Sequence, residues 1–218
     1  MAAAAADIEA ASTETMAERA WRAGDHVTAT NVVFSSYGGE IYGFLMSQFR
    51  GQPHHADEAF SMFTEDFWRA LPAFEWRCSI RAWCYRLARS ASSRYRRSPH
   101  NRRARQIPLS DVPFLSSLEA VTRSSTQAHL RSEVKDEIYR LREMLSRDDQ
   151  DLLVLRVDRG LSWREVAHAM GMADDEPEAE VRVDDEQRQR RDEAALRQRF
   201  AEVKKRLRSL AETAGLLK

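Results

Sequence analysis

Ser79-Ile80-Arg81-Ala82-Trp83-Cys84-Tyr85-Arg86-Leu87-Ala88-Arg89 is the stretch on which the fold turns. Its apolar residues Ile80, Trp83, Cys84, Leu87 and Ala88 recur at steps of three and four and continue to Ala91, the period of an amphipathic helix. Ser79 stands where an N-cap is preferred. The opposite face carries Arg81, Tyr85, Arg86, Arg89, Ser93 and Arg96, a basic stripe interleaved with an aromatic ring. That stripe belongs to a larger block: from Arg77 to Arg105 there are ten arginines and no Asp or Glu. Such a block suits a polyanion, which inside a cell usually means nucleic acid. A merely solvated face normally mixes both signs.

Upstream, Val33, Tyr37, Ile41, Phe44, Leu45 and Phe49 predict a helix over Asn31–Arg50, which Gly38 and Gly39 can bend and Gly51 and Pro53 stop. A second helix from Asp57 carries Phe60, Phe63, Phe67, Leu71 and Phe74, with Pro72 breaking its end. With the helix from Ser79, these predict a three-helix core in about 70 residues, small but viable. Trp83 is assigned to that core because it shares the stripe of Ile80 and Leu87. Residues 1–27 are Ala- and Glu-rich with weak periodicity and read as an N-terminal extension, a frayed helix with no assigned function. From 98 to 130 the character changes to a Ser-rich stretch punctuated by Pro99, Pro108 and Pro113. The expected organisation is a domain over 28–105, a flexible linker over 106–130 and a second domain over 131–218.

In the second domain, Ile138, Leu141 and Leu145 predict one helix and Leu152, Leu153, Leu155 and Val157 the next, closed by Gly160. Ser162-Trp163-Arg164-Glu165 has the spacing of a capping box. Trp163, Val166, Ala167 and Met170 are expected on the buried side of the short helix it starts, which Gly171 ends. A last helix carries Leu196, Phe200, Val203, Leu207 and Leu210 at steps of four, three, four and three. Its outer face holds Arg197, Gln198, Arg199, Lys204, Lys205, Arg206 and Arg208. This is the outline of a helix-turn-helix, whose second helix lies in the major groove. Arg197, Gln198 and Arg199 would then reach base edges, while Lys204, Lys205 and Arg208 would grip phosphates. No stretch alternates convincingly with period two. The predicted class is therefore all-α, two small helical domains joined by a flexible linker.

Other classes find little support. The 34 basic and 34 acidic residues cancel overall, so the local segregation of charge is what matters. No run of eighteen apolar residues occurs, which predicts no membrane insertion. Ala2–Ala6, followed by Asp7 and Glu9 and preceded by no base, does not read as a signal peptide. Cys78 and Cys84, six apart on one predicted helix, cannot face each other, and two free thiols fit a cytoplasmic protein. The six histidines are scattered, and there is no zinc pattern, phosphate loop or recognisable nucleophile. The expectation is a binding protein rather than an enzyme: no catalytic residues, no metal, no cofactor and no small-molecule substrate.

Two segments together resemble the extracytoplasmic-function (ECF) subfamily of bacterial RNA polymerase sigma factors. His55–Phe74 resembles that family's acidic core-binding helix, and Ser79–Arg89 its FRAWL-x-x-IAR stretch. Leu161–Met172 and Leu196–Leu207 resemble the two halves of its helix-turn-helix. The likeness covers roughly residues 30–105 and 131–212, in the family's order. It implies a sigma region-two helical bundle and a region-four helix-turn-helix domain. Asp57, Glu58, Ser61, Met62, Glu65, Asp66 and Arg69 would bind core RNA polymerase. Phe74, Trp76, Arg77, Ser79, Arg81, Tyr85, Arg86 and Arg89 would melt promoter DNA, the loop Phe74–Ser79 capturing a flipped base. An extruded base needs a stacking surface and polar edges, which Trp76, Arg77 and Ser79 could supply; the other reading of Trp76 is a core aromatic. Arg164, Ala195, Arg197, Gln198, Arg199, Lys204 and Lys205 would contact the upstream promoter element. The implied partners are core RNA polymerase, promoter DNA and, as the family also allows, an anti-sigma factor.

Two features depart from the family. Ser61-Met62 stands where Gln-Glu is usual. Ala173–Glu193 intervenes where a couple of residues suffice, and from Asp174 to Glu186 it carries eight acids against Arg182. This reads as an acidic insertion at 173–193 with three possible roles. It could be a harmless loop, a segment competing with DNA for the recognition-helix arginines, or, after Val183, an N-terminal extension of that helix. Two rival functions stay open: a sigma-like DNA-binding regulator that does not engage polymerase, and an interaction module acting through the acidic insert.

Overall fold

A computed structural model of the chain describes residues 2–97, 140–172 and 184–216. Among these residues every regular element is helical and no strand occurs. They fall into two compact units, divided between His129 and Leu130. The proposed linker lies outside the described residues.

The first unit contains α1 (Ala2–Arg22), α2 (His26–Gln48), α3 (Pro53–Ala70), a 3-10 turn (Leu71–Ala73) and α4 (Ile80–Arg97). Its core gathers Val33, Phe34, Ile41, Tyr42, Phe44 and Leu45 from α2, Phe60, Phe63 and Phe67 from α3, and Ile80, Trp83, Cys84, Tyr85 and Ala88 from α4. The rings interlock edge to face, as aromatic quadrupoles favour: Phe34 meets Phe67 at 5.3 Å and Phe44 meets Tyr85 at 5.3 Å.

Three boundaries differ from the sequence reading. Helix α2 begins at His26, because Asp25 accepts from the Thr28 N–H at 2.9 Å and from its hydroxyl at 2.6 Å, a complete N-cap. It runs through Gly38 and Gly39 uninterrupted. Pro53 opens α3 rather than stopping α2, since a proline at the first helical position gives up an N–H that has no partner anyway.

The largest correction concerns residues 1–27. They read as a frayed extension with no assigned function, whereas residues 2–22 form α1, which packs along α2 and joins the bundle. Its inner face is Thr13, Glu14, Ala17 and Trp21, with Thr13 and Ala17 buried. Thr13 and Ser36 share a hydrogen bond of 3.0 Å.

The second unit contains α5 (Arg147–Leu153), a π-helical turn (Val154–Asp158), α6 (Trp163–Ala169) and α7 (Asp184–Thr213). The capping box at α6 forms as expected: Ser162 Oγ accepts from the Glu165 N–H, and the Glu165 carboxylate accepts from the Ser162 N–H at 2.9 Å. Gly171, at φ 75, ends that segment in the left-handed conformation. Leu196 and Val203 of α7 are buried; Val203 joins Leu145 and Leu153 in one cluster, against which the partly buried Phe200, Leu207 and Leu210 pack. Val157 is exposed, however, and Trp163 and Met170 are only half-buried. Ile138 lies outside the described residues.

Helix α7 has 30 residues and begins at Asp184. Residues 184–193 of the expected insertion are therefore its first turns. This matches the third reading, an N-terminal extension, for that part; 173–183 lie outside the described residues.

Candidate nucleic-acid interface

The loop from Phe74 to Ser79 leads into α4, and its residues divide sharply. Phe74 is buried and stacks on Trp83 at 4.5 Å with the rings 23° apart. It is core, and an aromatic so enclosed is not presented to DNA. Trp76 sits at φ 58, left-handed backbone that a bulky residue rarely adopts. Its half-buried ring lies between Phe74 (5.0 Å) and Trp21 (6.1 Å). The indole Nε1 is buried with no hydrogen-bond partner among the described residues. Arg77 is exposed and pairs with Glu75 at 2.7 Å. Ser79 Oγ accepts from the Ala82 N–H at 3.2 Å, the N-cap expected of it. Cys78 lies in this loop, not on α4.

On α4 several arginines of the acid-free block meet acids or polar groups of other helices. Arg81 forms a two-pronged pair with Glu40 of α2, at 2.7 and 3.0 Å, and lies 5.9 Å over the Tyr37 ring. Arg94 pairs with Asp66 of α3. Arg96 donates at 2.8 Å to both the backbone carbonyl and the side chain of Gln48 and covers Phe49. Tyr85, expected on the basic face, is instead fully buried against Phe44, so it is not a DNA contact. What reaches solvent is a narrower stripe: Arg86 and Arg89 partly exposed, Ser93 and Arg97 exposed. Its steps of three, four and four keep these residues on one side of the helix over about 16 Å.

Sequence reasoning missed Glu14 and Trp21. Glu14 Oε2 accepts the Ile80 N–H at 2.9 Å and Oε1 the Arg81 N–H at 3.2 Å, capping α4 from another helix. Trp21 Nε1 donates to the Leu71 carbonyl at 2.7 Å. The burial of this region acts on its titratable groups. Burial pushes the Cys84 thiol well up, and Glu14 and Glu40 push it further. Tyr37 is raised chiefly by burial, with Glu14 adding to it.

The outer face of α3 carries the residues assigned to a protein partner. Glu58, Ser61, Met62 and Glu65 are half-buried and Arg69 is exposed, opposite the Phe60–Phe63–Phe67 side. At the two edges Asp57 accepts from the Tyr42 hydroxyl at 2.8 Å and Asp66 holds Arg94.

In the second unit a ladder of cations and rings joins α6 to α7. Trp163 has the Arg156 guanidinium 4.8 Å over its ring, Arg197 at 5.7 Å and Phe200 edge-on at 5.5 Å; Lys204 lies 5.0 Å over Phe200. Such stacking orients a cation without neutralising it. Arg164, Ala195, Gln198 and Lys205 are exposed. Arg197 also pairs with Glu193 at 2.7 Å. Arg199, expected near base edges, points back to Asp149 of α5 at 2.7 Å, with Asp148 at 3.9 Å. Arg156 was not singled out from sequence, because its role depends on the tertiary position of Trp163.

Among the described residues no three His, Cys, Asp or Glu side chains converge as a metal site would require, and no helix is long and apolar enough to cross a membrane. Comparison with family models, with curated proteins and with solved structures gives no match for this chain.

Proposed function

We propose that this chain is an ECF-type sigma factor that binds core RNA polymerase and directs promoter recognition, DNA melting and transcription initiation, without catalytic residues of its own. The observation that carries the reading is the solvent-facing stripe Arg86–Arg89–Ser93–Arg97 on α4, continuous with a loop that offers Arg77 and the strained Trp76. A displaced single strand needs such a combination of phosphate-binding cations and a stacking ring. The ladder Arg156–Trp163–Arg197–Phe200–Lys204, with Arg164 beside it, supports a second grip on duplex DNA. In this reading the outer face of α3 docks on polymerase, and the protein works in the cytoplasm, where polymerase and promoter are.

The second reading, a DNA-binding regulator of sigma-like descent, draws on α3 itself. Asp57 and Asp66, two of the acids assigned to polymerase, are engaged inside the fold, and Ser61-Met62 is uncharged. Transcription from a promoter fragment with purified core polymerase separates the two. Promoter-dependent transcript and co-purification with core enzyme are expected. DNA binding without core association would instead select the regulator.

A further inference from the structure

Helix α1 grips the loop between the 3-10 turn and α4 at both ends. Downstream, the Glu14 carboxylate spans the first two amides of α4, those of Ile80 and Arg81. Upstream, Trp21 donates to the Leu71 carbonyl at 2.7 Å and sets its ring 70° to that of Trp76. Between these anchors Trp76 holds a left-handed φ of 58 and a buried indole N–H with no acceptor among the described residues. Two unfavourable features on one residue persist only where surrounding structure imposes them. The first two amides of a helix have no intrahelical acceptor, so without Glu14 they would turn to water or to the loop.

We infer that Glu14 and Trp21 are positioning residues for the loop 74–79. They fix where α4 starts and how Trp76 and Arg77 are offered to single-stranded DNA. The inference rests on the promoter-melting role proposed above. Neither residue touches the nucleic acid in this scheme; each acts through the loop. Glu14 acts by charge and by two acceptor oxygens, so glutamine, with one acceptor and a donor facing the second amide, cannot replace it. Trp21 acts by its N–H, so phenylalanine keeps an aromatic ring, though a smaller one, and loses the anchor.

The test uses the full chain with core polymerase and a promoter fragment carrying 2-aminopurine in the stretch to be melted. Glu14→Gln and Trp21→Phe are expected to bind core enzyme like the parent chain. Glu14→Gln should slow the fluorescence rise about tenfold, the worth of one charge-assisted hydrogen bond, and Trp21→Phe, which loses a neutral bond, by a few-fold. Met16→Ala, on the exposed side of α1, should melt the promoter at the parent rate. Amide exchange at Ile80 and Arg81 should accelerate in Glu14→Gln, a readout that a general loss of stability would spread over the whole unit. If Glu14→Gln fails to fold, Trp21→Phe decides. Variants that melt DNA as fast as the parent overturn this inference alone. A parent chain that binds core enzyme yet gives no signal overturns the melting role and this inference with it.

Discussion

Arg199 donates to Asp149 across 2.7 Å and ties the middle of α7 to the first turn of α5. Burial by itself would raise the Asp149 pKa, but the Ser146 hydroxyl and the Arg199 guanidinium outweigh it and hold the carboxyl below its ordinary value. A carboxylate lowered in the folded state stabilises at pH above its unfolded pKa, and the contribution is lost as pH falls through the folded one. Asp149→Asn should therefore be less stable than the parent at pH 7, with the gap closing below about pH 4. Both side chains keep some exposure, so Arg199→Ala is expected to cost only about 0.5 kcal/mol. Denaturant unfolding across pH checks both, and a gap that ignores pH would mean that the ion pair does not form in solution.

Charge reversals on α4 should divide into two kinds. Arg86→Glu combined with Arg89→Glu is expected to act on DNA binding. It should weaken DNA binding and flatten the dependence of log affinity on log salt by about 0.7 for each single-strand phosphate no longer neutralised. Arg81→Glu would set a carboxylate against Glu40 and Glu14, and should destabilise the first unit by roughly 2–3 kcal/mol. Should Arg81 instead be the residue that moves the salt slope, its place is on the DNA face after all.

The backbone at Trp76 supplies a comparison that side-chain loss cannot mimic. Trp76→Ala and Trp76→Gly both remove the ring from between Phe74 and Trp21. Only glycine relieves the left-handed φ, so it should be more stable than alanine by about 1 kcal/mol. Equal denaturation midpoints for the two would mean that residue 76 is not left-handed in solution.

The two thiols should differ greatly in reactivity. Cys78 is half-buried in the loop, whereas Cys84 is fully enclosed and its thiol is pushed up. Only the thiolate reacts readily. A thiol reagent at neutral pH is expected to modify Cys78 first and Cys84 only as the unit unfolds. Simultaneous modification of both in the native chain would contradict the enclosure of Cys84.

Much of the fold could be read from periodicity, and the exceptions share a cause. The phenylalanines of α3, the Ile80–Trp83–Cys84 stripe and the Leu196–Leu210 seam announce themselves because one face of each helix is apolar. Helix α1 does not, because it packs through Thr13, Glu14, Ala17 and Trp21, and only one of these is a large hydrophobe. Tyr85 misled for the converse reason: a phenol among arginines reads as surface, yet its ring fills the space beside Phe44. The candidate site was half legible. The arginine block was visible as charge, but the acids that neutralise part of it, Glu40 and Asp66, sit on other helices. A count along one segment therefore overstated how many cations face solvent. Arg199 follows the same rule through Asp149.

The reach of α1 also sets the order in which the first unit is completed. Trp21 finds its acceptor fifty residues further along and Glu14 its donors some sixty-six residues on. On the ribosome this helix is made before α4 and must wait for its last partners until the head of α4 has emerged. Pairings so distant in sequence slow folding. An Ala-rich segment of 21 residues is long enough to hold helical turns in the meantime.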